Sequence, residues 1–213
     1  IAIIKLETPL AVSDYTSLIN TTINNAFSVS DTFKAIGHGL IEGNVSGGTN
    51  LLETTLTYMT TSACQAEYGS KLTSSHLCFS GPISGGYRNS TCSGDSGGPV
   101  YWFNGSQYIQ VGITSFGPSS CGDTSSVVTS VFTDVHDYQA WIARVINGLE
   151  TPKAYVVTTN GVRSLVTNSS ITTVSPSPSG DSGGGYNNLL SLFYLLLVLL
   201  ARRYSIFPMR IFN

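Results

Sequence analysis

An all-β fold, antiparallel strands finished by a C-terminal helix, is what this sequence predicts. Three features carry that expectation. Short runs of alternating or β-branched apolar residues recur up to Val135, with Gly, Asn and Ser between them. Two of these runs flank Asn104-Gly105-Ser106, and Asn-Gly between alternating runs is the strongest short-range hairpin signal. After the last run, Tyr138, Trp141, Ile142, Val145 and Ile146 fall on one helical stripe.

Taken in order, Ile1 to Leu6 (IAIIKL) is a short β-branched run and reads as a strand, and Glu7 to Asp31 is polar and irregular. Thr32 to Gly39 (TFKAIGHG) and Leu51 to Met59 follow as strands, the second by its alternation. The segment from Cys64 to Cys78 encloses a loop with room for a short helix, and His76 to Ser80 is a further short strand. Pro99 to Phe103 and Gln107 to Phe116 form the hairpin, and Ser126 to Val135 supplies another strand. Asp134 or Asp137 is placed to cap the final helix, and Asn147-Gly148 to end it.

Beyond Gly148 the composition changes. Residues 149–188 read as a Ser/Thr/Pro/Gly-rich linker, disordered or glycosylated from 150 onward, and residues 189–213 as a hydrophobic tail. The apolar run Leu189–Ala201 would span only about 20 Å as a helix, short of a hydrocarbon core of about 30 Å. Three readings of it stay open: a lipid-anchor signal with Ser179 to Gly183 at its cleavage site, an imperfect membrane anchor, and a spurious chain end.

Only 10% of residues are charged, against roughly 25% in ordinary soluble domains. Ser, Thr and Gly take their place, which suits an extracellular β-rich protein. The net charge of −2 and the lack of a basic run predict no nucleic-acid partner. Cys64, Cys78, Cys92 and Cys121 allow three pairings. Sequons at Asn20, Asn44, Asn89, Asn104 and Asn168 point to the secretory route. No signal peptide is visible and the first residue is Ile, so the start of the protein is expected to be missing.

The most informative stretch is Thr91-Cys92-Ser93-Gly94-Asp95-Ser96-Gly97-Gly98-Pro99-Val100. Gly94 has no side chain, so a substrate carbonyl can approach its backbone N–H closely. The N–H groups of Gly94 and Ser96 can then converge on one spot, as an oxyanion hole requires. A near copy, Ser179-Gly180-Asp181-Ser182-Gly183-Gly184, has no strand or cysteine beside it and reads as linker. Residues 94–98 also satisfy G-x-S-x-G, with Asp134 and His136 following in the order of an α/β-hydrolase triad. That elbow needs a strand before it and a helix after it, whereas here Pro99 and an alternating PVYWF strand follow.

At GDSGGP the chain resembles the trypsin/chymotrypsin-like serine proteases, and the resemblance extends over residues 1 to about 148. It implies the second antiparallel β-barrel of a two-barrel fold, closed by the terminal helix, with pairings Cys64–Cys78 and Cys92–Cys121. It makes Ser96 the nucleophile of an acyl-enzyme mechanism and Gly94 and Ser96 the oxyanion donors. A general base and its carboxylate would come from the first barrel, the carboxylate just before Ile1. His38, which replaces a structural Trp, and His76 and His136 are expected to be structural. These residues alone are therefore expected to be inactive.

The resemblance also implies that Asp95 is a buried acid pairing with the new amino terminus of a cut zymogen. Ser90 would form the floor of the specificity pocket, favouring cleavage after Phe, Tyr or Leu. Ser115-Phe116-Gly117 would pair with the substrate backbone as an added strand, and Ser126 would narrow one wall. A glycan on Asn89 would crowd that pocket, so its sequon is expected to be unused. Implied partners are protein or peptide substrates and protein protease inhibitors, with no cofactor and no metal. The tail offers a means of membrane attachment to an otherwise secreted protein. The competing expectation is a non-catalytic homologue that binds partners through a protease-like surface.

Overall fold

The computed structural model describes residues 1–20, 27–41, 45–168 and 209–212. In chain order its strands are β1 (Ile3–Leu6), β2 (Ser17–Leu18), β3 (Thr32–Gly37), β4 (Leu40–Ile41), β5 (Val45–Ser46), β6 (Leu52–Met59), β7 (His76–Ser80), β8 (Ile83–Ser84), β9 (Tyr87–Arg88), β10 (Pro99–Phe103), β11 (Tyr108–Phe116), β12 (Ser130–Asp134), β13 (Ala154–Thr159), β14 (Val162–Thr167) and β15 (Met209–Phe212). The helices are α1 (Thr61–Tyr68) and α2 (Gln139–Ile146). The chain divides into two units: Ile1 with Ala11–Asn147, and Ala2–Leu10 with Gly148–Asn213.

The larger unit is a closed six-stranded antiparallel barrel. Strands β10, β3, β6, β7, β12 and β11 pair in that order, and β10 pairs back onto β11. Closure leaves no open edge in this ring, the chief hazard of an all-β domain. Outside it, Ser17–Leu18 pairs in parallel with β11, in a stretch read as irregular. The alternation seen in the sequence becomes inward and outward faces: in β10, Val100 and Trp102 are buried and their neighbours are not. Phe33, Phe79 and Phe132 come from three strands, are fully buried, and meet edge-to-face at 4.9 and 5.2 Å. Each such side chain contributes about 1.5–3 kcal/mol by leaving water.

Helix α1 starts because Thr60 accepts the Ala63 N–H on its hydroxyl at 3.2 Å, and it stops at Gly69, whose φ is +86°. It presents Cys64 to Cys78 on β7, with Cα atoms 6.0 Å apart. Leu72, Val128 and Val131 pack around this disulfide, with Tyr68 against them. The Tyr68 hydroxyl donates to Val128 O at 3.0 Å, and burial pushes its pKa up to about 12.

Helix α2 lies within the expected stripe, with Ile142 and Val145 buried and Ile146 74% exposed. It stops at Asn147, whose N–H donates to Ala143 O, and Gly148 follows at φ +71°. Neither expected acid caps it. Tyr138 is the N-cap and makes no side-chain bond, because a 3₁₀ turn at His136–Tyr138 intervenes. Asp137 accepts instead from the Ser75 hydroxyl at 2.6 Å. Asp134 ends β12, is buried, and accepts the His136 N–H at 2.8 Å.

Burial pushes the Asp134 carboxyl from its ordinary 3.8 up to about 6. The folded state thus favours the protonated acid. Its stability is highest below the ordinary value and is lost progressively as the pH rises to about 6, with no further loss above. The penalty at neutral pH is about 2–3 kcal/mol. Asp134→Asn keeps the acceptor for His136 and removes the charge. It is expected to raise stability by that amount at neutral pH and to have no effect below the ordinary carboxylate pKa. Urea unfolding across pH reads both, and a pH-independent difference would contradict the assignment.

Several expected strands are shorter than anticipated: that from Ile1 begins at Ile3, and those from Leu51 and Gln107 begin one residue later. The expected run to Gly39 stops at Gly37, and that from Ser126 to Val135 narrows to Ser130–Asp134. Asp123 holds the loop before β12 by accepting from the N–H and hydroxyl of Ser125 at 2.8 and 2.7 Å.

The smaller unit corrects the reading of residues 150–188 over part of its length. Strands β13 and β14 form a six-pair antiparallel hairpin there, turned by Asn160-Gly161 with φ +52° and +78°. Two positive φ values at the turn are what a type I′ hairpin needs. β15 pairs between β1 and β13, giving the order β1-β15-β13-β14. The second SGDSGG copy and Leu189–Ala201 lie outside the described residues. No helix among the described residues is long and apolar enough to cross a membrane.

Candidate active site

The loop around Ser96 is two successive tight turns. Asp95 N–H donates to Cys92 O at 3.0 Å, and Gly98 N–H donates to Asp95 O at 2.8 Å. The third residue of each turn is a glycine with positive φ, Gly94 at +101° and Gly97 at +82°. That conformation is strained for any residue with a Cβ. At Gly94 space is also tight, since an added Cβ would stand 3.0 Å from Gly39 Cα. Gly97 N–H to Thr114 O and Thr114 N–H to Gly98 O, 2.9 and 2.8 Å, fasten the loop to β11.

Asp95 anchors this loop from within. Its Oδ1 accepts the Gly39 N–H and its Oδ2 the Cys92 N–H, both at 2.8 Å. A Cβ on Gly39 would lie 2.5 Å from Asp95 Oδ1, and one on Gly37 closer still. The Gly37-His38-Gly39 pattern therefore serves the carboxylate, a role not read from the sequence. Leu40 N–H donates to Ser93 O at 2.8 Å and closes the same contact. With Asp95 turned inward, Ser96 is exposed. The N–H groups of Gly94 and Ser96 donate to no protein acceptor among the described residues.

The segment before the loop is fixed by the second disulfide, Cys92–Cys121, with Cα atoms 5.5 Å apart. Both disulfides thus join the pairs expected from the resemblance. Ser90 accepts the Gly122 N–H on its hydroxyl at 3.3 Å. Ser126 stands in the loop before β12. The hydroxyl that meets the Ser90–Thr91 segment belongs to Ser130, fully buried, which accepts from Thr91 N–H at 2.8 Å and Thr91 Oγ1 at 3.1 Å. Ser115 and Phe116 end β11 exposed, and the Phe116 ring meets Tyr68 edge-on at 5.4 Å. Gly117 has no room for a side chain, because a Cβ there would lie 2.7 Å from Thr129 O.

Gly37, Gly39, Arg88, Ser90 and Asp95 line one cavity of about 350 Å³. The Arg88 guanidinium donates to Gly81 O at 3.2 Å and Thr124 O at 3.5 Å, and its Nε is buried without a partner among the described residues. The three histidines are elsewhere. His38 is exposed between its two glycines, His76 Nδ1 faces Thr73 at 3.2 Å, and His136 Nδ1 is 3.7 Å from Asp137. None of them contacts Ser96 among the described residues.

The same residues appear against a family background. The sequence profile described as Trypsin matches residues 1–142. The chain is 32% identical over 111 residues to a phenoloxidase-activating enzyme of Bombyx mori, covering 49% of this chain and 24% of that protein. It is 35% identical over 120 residues to a trypsin-like protease of Streptomyces glaucescens, covering 55% of this chain and 43% of that protein. To the CLIP domain-containing serine protease B4 of Anopheles gambiae it is 33% identical over 151 residues, 67% of this chain and 39% of that protein. The chain thus spans less than half the length of each of these relatives. With two thirds of its residues inside the family profile, this chain belongs to the trypsin family of serine proteases.

Proposed function

We propose that the protein from which this chain comes is a serine endopeptidase, and that Ser96 is its nucleophile. The observation that carries the reading is the frame around Ser96: two glycine turns and an inward carboxylate leave Ser96 exposed and the amides of Gly94 and Ser96 unengaged among the described residues. Ser96 Oγ attacks the scissile carbonyl, and the N–H groups of Gly94 and Ser96 receive the oxyanion. The amine leaves, the acyl group stays on Ser96, and water releases it. A hydroxyl needs a base to accept its proton; no histidine contacts Ser96 among the described residues, and we assign that base and its carboxylate partner to residues outside these 213.

Substrate choice follows from Ser90 and its neighbours. The Ser90–Thr91 segment, Ser130 and Gly117 offer hydroxyls and backbone and no carboxylate. A Lys or Arg side chain would find no carboxylate on these residues, at a cost of several kcal/mol for a buried ion without a partner. Phe, Tyr or Leu enters without that cost. Ser115–Gly117 offers its backbone to the substrate as an added strand. The cavity beside Asp95 receives the amino terminus of the cut zymogen. The disulfides suit an oxidising, extracellular setting, with attachment to a membrane through the tail.

Peptides differing only in the residue before the scissile bond test this reading on the full-length protein. Cleavage after Phe, Tyr or Leu is expected to exceed cleavage after Arg or Lys by about tenfold or more in kcat/KM, the least that a cost above 1.4 kcal/mol gives. The 213 residues alone are expected to cleave none of them. A preference for Arg or Lys would contradict the pocket assignment, and a full-length protein that cleaves nothing would favour a non-catalytic homologue acting as a binding module.

A further inference from the structure

We propose that Asn104, at the tip of the β10–β11 hairpin, carries an N-linked oligosaccharide and that Asn89 does not. The inference rests on the extracellular route proposed above. Of the five Asn-x-Ser/Thr sequons, those at Asn89 and Asn104 lie wholly within the described residues. Their surroundings are opposite.

At Asn104 the side-chain Oδ1 accepts from the Ser106 N–H, the Ser106 hydroxyl and the Gln107 N–H, each at 3.0 Å. Three donors on one atom identify it as the oxygen, which leaves Nδ2 as the free end of the amide. They also draw electron density from the amide, which eases loss of an Nδ2 proton. The Asn104 N–H donates to Gln107 O at 3.1 Å, so the whole arrangement is made by four consecutive residues.

Beside the sequon stands an aromatic platform. Phe103 and Tyr108 face each other across the ladder, 48% and 44% exposed, with ring centroids 5.1 Å apart, and Tyr101 adjoins Tyr108 at 6.5 Å. The C–H face of a pyranose carries partial positive charge and suits the electron-rich face of such a ring. The first N-acetylglucosamine on Asn104 would cover rings that otherwise stand in water.

Asn89, half-buried just after β9, is instead tied into the fold. Its N–H donates to Pro82 O and its carbonyl accepts from the Thr129 hydroxyl, both at 2.9 Å. Its Cβ packs where Gly81 has no side chain. The Thr91 hydroxyl that its sequon requires is buried and donates to Ser130 Oγ at 3.1 Å.

In the transfer, Asn104 Nδ2 attacks the anomeric carbon of an oligosaccharide held on a polyprenyl diphosphate. The C–O bond to the diphosphate breaks, its electron pair leaves with the diphosphate, and the amide proton passes to a base on the transferase. The test is secretion of the full chain from eukaryotic cells behind a supplied leader. Peptide N-glycosidase in heavy-oxygen water then converts each glycosylated Asn to labelled Asp, read by peptide mass spectrometry. Label at residue 104 and none at residue 89 is the expected result. Unlabelled Asn104, or label at Asn89, would overturn the proposal. Phe103→Ala keeps the sequon and removes the platform, so reduced label at 104 is expected, and unchanged label would overturn the platform's part. Because the leader is supplied, failure at Asn104 counts against the site. The native location is read separately, by finding the endogenous protein inside or outside its cells.

Discussion

Ser96→Ala in the full-length protein is expected to lower kcat for peptide hydrolysis by about six orders of magnitude, the loss that follows removal of such a nucleophile in a comparable triad enzyme. The substitution removes one exposed oxygen from a side chain with no hydrogen bond among the described residues. Unfolding free energy should therefore stay within about 0.5 kcal/mol of the parent. KM should change little, because the pocket contacts are untouched. The combination is diagnostic: a folded protein that binds peptides and does not cleave them. Steady-state kinetics with urea unfolding reads both halves. A variant retaining a tenth of the parental kcat would remove Ser96 from the reaction.

Gly39→Ala is expected to cost nearly as much by a different path. Its Cβ would stand 2.5 Å from Asp95 Oδ1, so something must shift. The carboxylate would have to swing away, losing the Gly39 N–H and straining its bond to Cys92 N–H. Asp95 sits between the two residues whose amides receive the oxyanion, so both donors move with it. Loss of one aligned donor alone costs about 10²–10³ in kcat. The strained anchor should also lower stability by about 1–3 kcal/mol. Gly48→Ala is the control, since Gly48 has positive φ, +80°, which Gly39 does not, and nothing lies within 4 Å of an added Cβ. Its stability should drop slightly and its kcat should not. Equal kcat for the two variants would show that the Asp95 contact does not position the loop.

The parts of this molecule legible in the sequence are those where one residue type is forced. The Gly94 and Gly97 turns announce the serine loop because only glycine takes their backbone conformations cheaply. The hairpin at Asn104-Gly105 is legible for the same reason. Asn160-Gly161 carries an equally good signal between alternating runs, but the Ser/Thr-rich composition around it masked the hairpin from Ala154 to Thr167. Local pattern outweighed composition there.

The site was legible as a motif and less so as a surface. Ser126 and Ser130 are four residues apart in similar sequence, and only the start of β12 decides which hydroxyl meets Thr91. Gly37 and Gly39 meet Asp95 from 56 residues or more away in sequence, a contact that no local pattern encodes. The cap of α2 failed for a related reason. Asp134 and Asp137 have suitable chemistry, but tertiary partners at Ser75 and a 3₁₀ turn claim them first.

A fluorophosphonate reporter tests the role of Ser96 most directly, because it bonds only to a hydroxyl already activated for acyl transfer. Full-length protein and the 213-residue chain would be titrated side by side and digested, and the adduct located by mass spectrometry. One adduct per full-length molecule, on Ser96, with no stoichiometric labelling of the chain alone, is the expected result. An adduct on another residue of a cleaving full-length protein, or stoichiometric labelling of Ser96 in the isolated chain, would contradict a nucleophile that depends on a base outside these residues.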